Sequence, residues 1–403
     1  MQTHFDIIIV GKGLVGLAFA LALQDTTLSI ALIEAKPLAP FPVAFSRPLS
    51  LNEISCQILK KLGVWETLAG EATPITGVHI SEQHRFGAIR LSATECKVPA
   101  LGHVVDIATL FSALQEKTKL QKNITCIQPA TVKNITFNEH DATLHITTEC
   151  SQHTLTATLV VVADGHSSTL SKLLNLHTEE YDYQESAITA TVNVSKPHGG
   201  MAFERFTKEG TIALLPRASH AYGLVISAQK TQANTLLALE DAAFLTWLQT
   251  QMGYRAGSFQ NLSKRALSPL KYFRAHERVK QNVILLGNAS QTLHPVAAQG
   301  FNVGLVDAAT LADYIQAKPS LQTAMKEQHL LQTVDAVCAQ HQNQVIDFTK
   351  AIVAIYHHQT PAVSCGRGFM LHFLGLSPSF RQKIAKFGMG HYRKSTHLAH
   401  ELA

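Results

Sequence analysis

Three short apolar stretches lie far apart in the chain: Phe5 to Val10 (broken only by Asp6), Leu159 to Ala163, and Val283 to Leu286. Unbroken apolar runs of this length, bounded by turn residues, fit strands covered on both faces of a parallel sheet. Each run ends at a turn rich in glycine: Gly11, Asp164-Gly165 and Gly287. A fourth run, Leu28 to Ile33, closes on Glu34. Between the first and the fourth, Leu14 to Gln24 is rich in Ala and Leu and reads as a helix. The pattern predicts a βαβ unit with its glycines at the strand-to-helix turn.

Elsewhere the period changes. Ser50 to Leu68 reads as helical, with apolar positions at Leu51, Ile54, Ile58, Leu59 and Leu62. Thr73 to Pro99 is strand-like and irregular, and Asp106 to Leu114 reads as a helix. Ile124 to Thr148 alternates in short β segments about the turn cluster Asn138-Glu139-His140-Asp141. Ile188 to Gln229 is β-rich, with Gly199-Gly200 and Glu209-Gly210 as turn signals. A helix is expected from about Val306 to Gln316, and the tail from Met325 to Ala403 reads as helical.

The chain has 403 residues, 46% of them hydrophobic and 16% charged, enough for a large core and more than one domain. No apolar run reaches the roughly 18–20 residues of a membrane-spanning helix. Asp6 to Val10 already reads as a strand, so no signal peptide is expected. Six cysteines are scattered without a CxxC pair, and the 21 histidines form no zinc spacing. Free thiols in a reducing cytoplasm are expected, and no metal site. The formal charge of +5 fits an anionic cofactor, an anionic membrane surface, or nothing specific. Nucleic acid is not expected as a partner, because no basic tract is interleaved with aromatics.

The first loop, Gly11-Lys12-Gly13-Leu14-Val15-Gly16, has the spacing that cradles a pyrophosphate. Gly11 permits the tight turn, Gly13 admits backbone close to phosphate, and Gly16 lets helix and strand approach. The helix start favours the phosphate charge. Glu34 stands 18 residues after Gly16, where a carboxylate can accept from an adenosine ribose and would repel a 2′-phosphate. FAD or NAD is thus expected, rather than NADP. The second signature, Asp164-Gly165, could organise backbone and water around the pyrophosphate; alone it would be an ordinary turn. The third runs from Gly287-Asn288 through His294-Pro295 to Gly300-Phe301-Asn302. Asn288 offers an amide to ribityl or phosphate oxygens. The Phe301 and Asn302 N–H groups would face the flavin edge that gains negative charge on reduction.

These three signatures, with Glu34, Arg47 in Ser46-Arg47-Pro48, Phe203-Glu204-Arg205-Phe206, Gly210, Leu214-Leu215-Pro216 and the tail from Arg367 to Gly390, resemble the class A flavoprotein monooxygenases. Within them the chain is most similar to the ubiquinone-biosynthesis hydroxylases, in particular the 2-polyprenyl-6-methoxyphenol hydroxylase branch. Most relatives carry Gly-Asp where this chain has Gly287-Asn288. Asn occurs in that branch and leaves the ribityl contact neutral.

The resemblance implies an α/β protein of the para-hydroxybenzoate-hydroxylase-like fold. A Rossmann-type FAD-binding domain (1–72, 100–180 and 275–325) would hold an inserted β-sheet substrate domain (73–99 and 181–274), followed by a helical C-terminal region (326–403). It implies FAD as cofactor and NAD(P)H as electron donor, with one oxygen atom of O₂ passing to the ring of a polyprenylated phenol. Arg47 would lie near the ribityl chain or pyrophosphate and the NAD(P)H approach. The Pro295 carbonyl would lie near the substrate. His294 beside it is a candidate base or a packed histidine; Tyr222 and Gln299 could also face the ring. The tail segment Phe369 to Leu376, with Arg381, Lys383 and Lys386, is compatible with peripheral contact at the inner membrane or with sister enzymes, or with packing on the flavin domain. A prenyl-lipid reductase or epoxidase and a non-catalytic flavin-binding component are the competing readings.

Overall fold

The computed structural model describes residues 2–37, 47–166, 168–294, 299–326, 329–357, 369 and 371–391. The chain opens with β1 (His4–Val10), α1 (Leu14–Ala22) and β2 (Ile30–Ile33). Next come β3 (Pro48–Asn52), α2 (Glu53–Lys61), α3 (Trp65–Leu68), β4 (Thr73–Ile75), β5 (Gly77–Glu82), β6 (Ala88–Ser92) and α4 (Ala93–Cys96). β7 (Gly102–Asp106) leads into α5 (Ile107–Lys119), β8 (Ile124–Ile127), β9 (Ala130–Phe137), β10 (Ala142–Thr148) and β11 (Gln152–Val162). α6 (Thr169–Leu173) precedes β12 (Thr178–Val194), β13 (Met201–Thr207), β14 (Gly210–Arg217) and β15 (Ala221–Gln229). Then follow α7 (Lys230–Ala238), α8 (Asp241–Met252), β16 (Phe259–Leu262), β17 (Ala266–Ala275), β18 (Val279–Lys280), β19 (Val283–Leu285) and β20 (Gln291–Thr292). α9 (Gly300–Gln316), α10 (Leu321–Lys326), α11 (Leu330–His357) and α12 (Pro378–Gly388) complete the series, and 371–376 is also helical.

The first sheet has the order β18-β19-β11-β1-β2-β8, with β10 on β11 and β9 on β10. Its central strands β19, β11, β1, β2 and β8 are parallel. Alternation splits the apolar runs between two cores. Ile7, Ile9, Leu159 and Val161 join α1 and α9 on one face. Ile8, Val10, Val160 and Val162 pack on the other with Leu144, Leu155 and Leu170. Both faces are covered, which is why these strands read as unbroken apolar sequence.

The second sheet, β20-β17-β12-β15-β14-β13-β5-β6 with β16 on β12, is mostly antiparallel. Phe203, Leu214, Tyr222 and Leu224 point from one face into a core with Phe244, Leu248 and Met252 of α8. The opposite face turns Ala202 and Leu215 toward Ile75 and Val104, in the small sheet β3-β7-β4. β20 joins the end of this sheet beside the third signature, so the sheet reaches directly to that loop.

Two expected elements begin elsewhere. Ser50 to Asn52 is strand, not helix: Leu51 pairs with His103 of β7, and this long-range pairing overrides the local apolar period. Asn52 then caps α2 by accepting from the Ser55 N–H at 2.8 Å, and Gly63, at φ +66°, separates α2 from α3. α9 starts at Gly300, six residues before the expected Val306, so Gly300, Phe301 and Asn302 form its first turn. In the tail, Leu371, Ala385 and Met389 pack on Ile89, Leu91 and Ala93. The segment 371–391 thus packs chiefly on β6 and α4, whereas α11 packs on the parallel-sheet core through Leu330, Val334 and Cys338; the end of the segment reaches α2, where the Ile54 N–H donates to the Met389 carbonyl at 3.3 Å. Among the described residues no helix is long and apolar enough to cross a membrane.

Candidate active site

The three signatures meet at the ends of β1, β11 and β19. Gly11 adopts φ +107°, and a Cβ there would lie 2.3 Å from the Ala163 carbonyl oxygen. A Cβ on Gly16 would lie 2.1 Å from the Gly11 carbonyl oxygen. The first loop is thereby pressed against the second signature at Ala163-Asp164. Val15 ties in the third: a Cβ on Gly287 would approach its side chain to 2.9 Å, and one on Gly304 to 3.1 Å. Glycine at these positions lets α1, the turn at Gly287 and α9 close on one another.

Other glycines of the same signatures face outward. A Cβ on Gly13, Gly165 or Gly300 would meet no protein atom within 4 Å. Gly13 caps α1 and Gln299 caps α9, and neither cap makes a side-chain hydrogen bond, so both helix starts keep backbone donors for a ligand. Leu14 and Val15 lie in the first turn of α1, and Phe301 and Asn302 in the first turn of α9.

Glu34 shapes the first loop from the end of β2. Its Oε2 accepts from the Lys12 N–H at 3.0 Å and its Oε1 from the Lys36 N–H at 3.0 Å. Each oxygen keeps a further lone pair for a ribose hydroxyl. The Lys12 side chain is buried and donates from Nζ to Gln128 at 2.9 Å. Asn288 is exposed beside buried Gly287. Arg47 is exposed at the start of β3, and its carbonyl accepts from the Ile107 N–H at 3.1 Å.

Several buried polar atoms of the second and third signatures have no protein partner: Asp164 Oδ1, Ser290 Oγ, both amide atoms of Gln291, Thr292 Oγ1 and Gln299 Oε1. Burial, the largest effect on it, raises the Asp164 pKa, opposed by hydrogen bonds from Ser168 and nearby backbone N–H groups. Unpaired buried polar groups cost about 1–3 kcal/mol each, so their gathering here fits a long polar ligand. The open glycines, two uncapped helix starts and this donor–acceptor set together suit a dinucleotide with a ribityl chain. Among the described residues no cluster of His, Cys, Asp or Glu could hold a metal ion.

The other candidates separate. Pro295 lies outside the described residues. His294 is buried; its Nε2 pairs with Glu185 Oε2 at 3.0 Å, and its ring meets the edge of Tyr183 at 5.0 Å. It thus links the third signature to β12. Tyr222 does not face a ring site: strand alternation puts it with Phe203 in the core beneath α8. Sequence reasoning assigned no individual role to Glu204, a carboxylate between Phe203 and Arg205. It projects from β13 on the same face as Ala202 and makes no hydrogen bond among the described residues. Burial pushes its pKa up to about 8.

That shift fixes a pH dependence. The folded carboxyl holds its proton to about pH 8, whereas the unfolded one releases it near 4.5. Between these values the folded state binds more protons, so stability falls as pH rises and levels off above about 8. Glu204→Gln removes the effect. The variant is expected to match wild type near pH 4.5 and to exceed it by up to about 5 kcal/mol at pH 9. Thermal unfolding of both proteins across this range checks it; parallel curves would refute the burial argument.

The parallel α/β unit, the antiparallel sheet at its edge and the three-signature cleft define a dinucleotide-binding protein of the flavin-monooxygenase fold. The chain belongs to the FAD binding domain family, whose model matches residues 4–349, and FAD is the cofactor this cleft takes. It is similar to p-nitrophenol 4-monooxygenase PnpA of Pseudomonas putida, with a TM-score of 0.77 at 16% identity, over 98% of this chain and 100% of that one. It is 28% identical to ubiquinone hydroxylase UbiL of Rhodospirillum rubrum, over 90% of this chain and 84% of the relative. It is also 28% identical to 3-demethoxyubiquinol 3-hydroxylase of Escherichia coli, over 77% of this chain and 79% of the relative.

Proposed function

We propose that the protein is an FAD-dependent monooxygenase that uses NAD(P)H and O₂ to hydroxylate the ring of a polyprenylated phenol in ubiquinone biosynthesis. The observation that carries the reading is the closure of the second signature on Gly11 and of the third on Val15, both in the first loop and helix start, in a chain similar along most of its length to ubiquinone hydroxylases. The branch resemblance favours a 2-polyprenyl-6-methoxyphenol as substrate. Bound FAD supplies the redox chemistry, accepting hydride from NAD(P)H and activating O₂.

The protein's own residues bind, orient and shield. The starts of α1 and α9 present N–H donors to negative charge; Glu34 would accept from the ribose, and Asn288 would donate to the ribityl chain or phosphate. Arg47 stands on the NAD(P)H approach. By the resemblance, the Pro295 carbonyl would lie near the phenol, and the Glu185–His294 pair holds the residue before it. Glu204, protonated at neutral pH, lies on the sheet face toward β4 and β7 and can donate a hydrogen bond there. A cytoplasmic location, peripheral to the inner membrane and near sister enzymes, suits a substrate whose prenyl tail lies in the bilayer.

Phenol-stimulated NAD(P)H oxidation under ¹⁸O₂ tests the reaction. One labelled oxygen is expected in the ring hydroxyl. A reductase would incorporate none, and a non-catalytic flavin carrier would show no stimulation. Loss of the gene tests the substrate: accumulated 2-polyprenyl-6-methoxyphenol supports the branch, and a precursor already oxygenated at that carbon rejects it.

A further inference from the structure

At β6, the edge of the nine-stranded sheet farthest from β20, four arginines converge. Arg85, Arg90, Arg205 and Arg255 line a cavity of about 350 Å³ with His79 and His372. The one carboxylate in its wall, Glu82, is buried. Arg205 is held by the Gln251 carbonyl at 2.7 Å and Ser81 Oγ at 3.0 Å. Arg90 and Arg255 are exposed, and among the described residues no carboxylate lies within salt-bridge distance of either. The positive field is felt by His79, whose pKa falls to about 4, first through burial and then through Arg255, Arg90 and Arg205.

Around this mouth the surface is apolar. Phe86 is 73% exposed, Tyr254 72%, Phe369 58%, Phe373 66% and Leu376 62%. Phe86 packs on His372 at 4.7 Å, and His372 on Phe373 at 6.0 Å, which places Phe86 and Phe373 at the lip of the cavity. The support beneath is firm. Leu371 is buried against Ile89 and Leu91, and Gly375 sits so close to Ala88 that a Cβ would lie 2.5 Å from its carbonyl. Arg381 grips Glu95 through two hydrogen bonds of 3.0 Å. The exposed side chains are therefore displayed on a braced element.

We propose that this face docks on an anionic phospholipid bilayer, with a lipid phosphate in the arginine cavity and Phe86, Phe369, Phe373 and Leu376 inserted beside it. Charge and shape select this occupant. Guanidinium forks match phosphate oxygens, and the cavity has the size of a headgroup. Phe86 lines the cationic mouth and Phe373 packs on His372 of its wall, a pairing of apolar and cationic groups like that of helices that lie in a membrane interface. The inference rests on this surface alone and does not require the substrate proposed above.

Cosedimentation of the FAD-loaded full-length protein with vesicles tests it. Binding is expected to phosphatidylcholine vesicles that contain phosphatidylglycerol, to weaken with salt, and to be slight with phosphatidylcholine alone. Each arginine near the surface contributes about fivefold, so Arg90→Ala/Arg255→Ala is expected to bind roughly 30-fold more weakly. Phe86→Ser/Phe373→Ser is expected to lose at least about tenfold. Unchanged flavin absorbance and melting temperature confirm that these surface variants fold. Equal binding to both vesicle types, or wild-type binding by the arginine variant, overturns the proposal. If inorganic phosphate raises the melting temperature through Arg90 and Arg255 while vesicles stay unbound, the cavity is a small-anion site and the bilayer is excluded.

Discussion

Gly13→Asp is expected to yield a folded protein that no longer holds FAD. Gly13 has φ −77° and ψ −179°, an extended conformation open to any residue, and a Cβ would meet no protein atom within 4 Å. Aspartate is moreover among the preferred N-cap residues, and its charge suits a helix start. The unliganded variant should therefore melt at or above the wild-type temperature, with a gain of up to about 1 kcal/mol. The same carboxylate consumes a first-turn N–H and sets a negative charge where the pyrophosphate must approach α1. A loss of about 4 kcal/mol, roughly a thousandfold in affinity, is expected. Calorimetric titration of the deflavinated variant with FAD measures the affinity, and a melt of the same sample measures the fold. Gly16→Ala provides the contrast: its Cβ would lie 2.1 Å from the Gly11 carbonyl oxygen, so fold and cofactor should fail together. Wild-type affinity in Gly13→Asp would place the pyrophosphate away from α1.

The difference between these glycines marks the limit of what the sequence discloses. The spacing of the first loop is legible because a tight turn, a phosphate approach and a helix–strand contact each exclude a side chain locally. The parallel strands are legible because burial on both faces leaves an unbroken apolar run. Gly300 and Gly304 misled for the opposite reason. Two glycines in five residues resemble a loop, yet they open α9, where Gly304 is needed for contact with Val15 and Gly287. That contact joins three distant parts of the chain, so no local window reveals it. β3 was hidden likewise, since its partner β7 lies some fifty residues on. Glu204 looks like ordinary alternation in Phe-Glu-Arg-Phe; only the sheet shows that Arg205 turns to one face and leaves Glu204 without a counter-charge on the other. The arginine cavity, assembled from β5, β6, β13 and the turn after α8, has no compact sequence signal at all.

Asn302 carries the second large effect, because its side chain joins the start of α9 to the strand after Arg47. It is 1% exposed; Oδ1 accepts from the Asn52 N–H at 3.0 Å, and Nδ2 donates to the Ser50 carbonyl at 3.0 Å. An asparagine amide is suited to this position because it offers one acceptor and one donor side by side to a strand backbone. Asn302→Ala leaves both backbone groups short of a partner, at a cost of about 1–3 kcal/mol each. A loss of roughly 4 kcal/mol is expected, with weaker FAD binding as the first turn of α9 loosens. Asn302→Asp separates this bridge from simple loss of packing. It keeps the volume and the acceptor, but turns a carboxylate oxygen toward the Ser50 carbonyl, where two acceptors repel. The aspartate variant should therefore be at least as unstable as the alanine one, although it is the smaller change in shape. Thermal unfolding of the deflavinated proteins ranks them. An aspartate variant as stable as wild type would mean that α9 is held to β3 by packing alone and that the amide bridge contributes little.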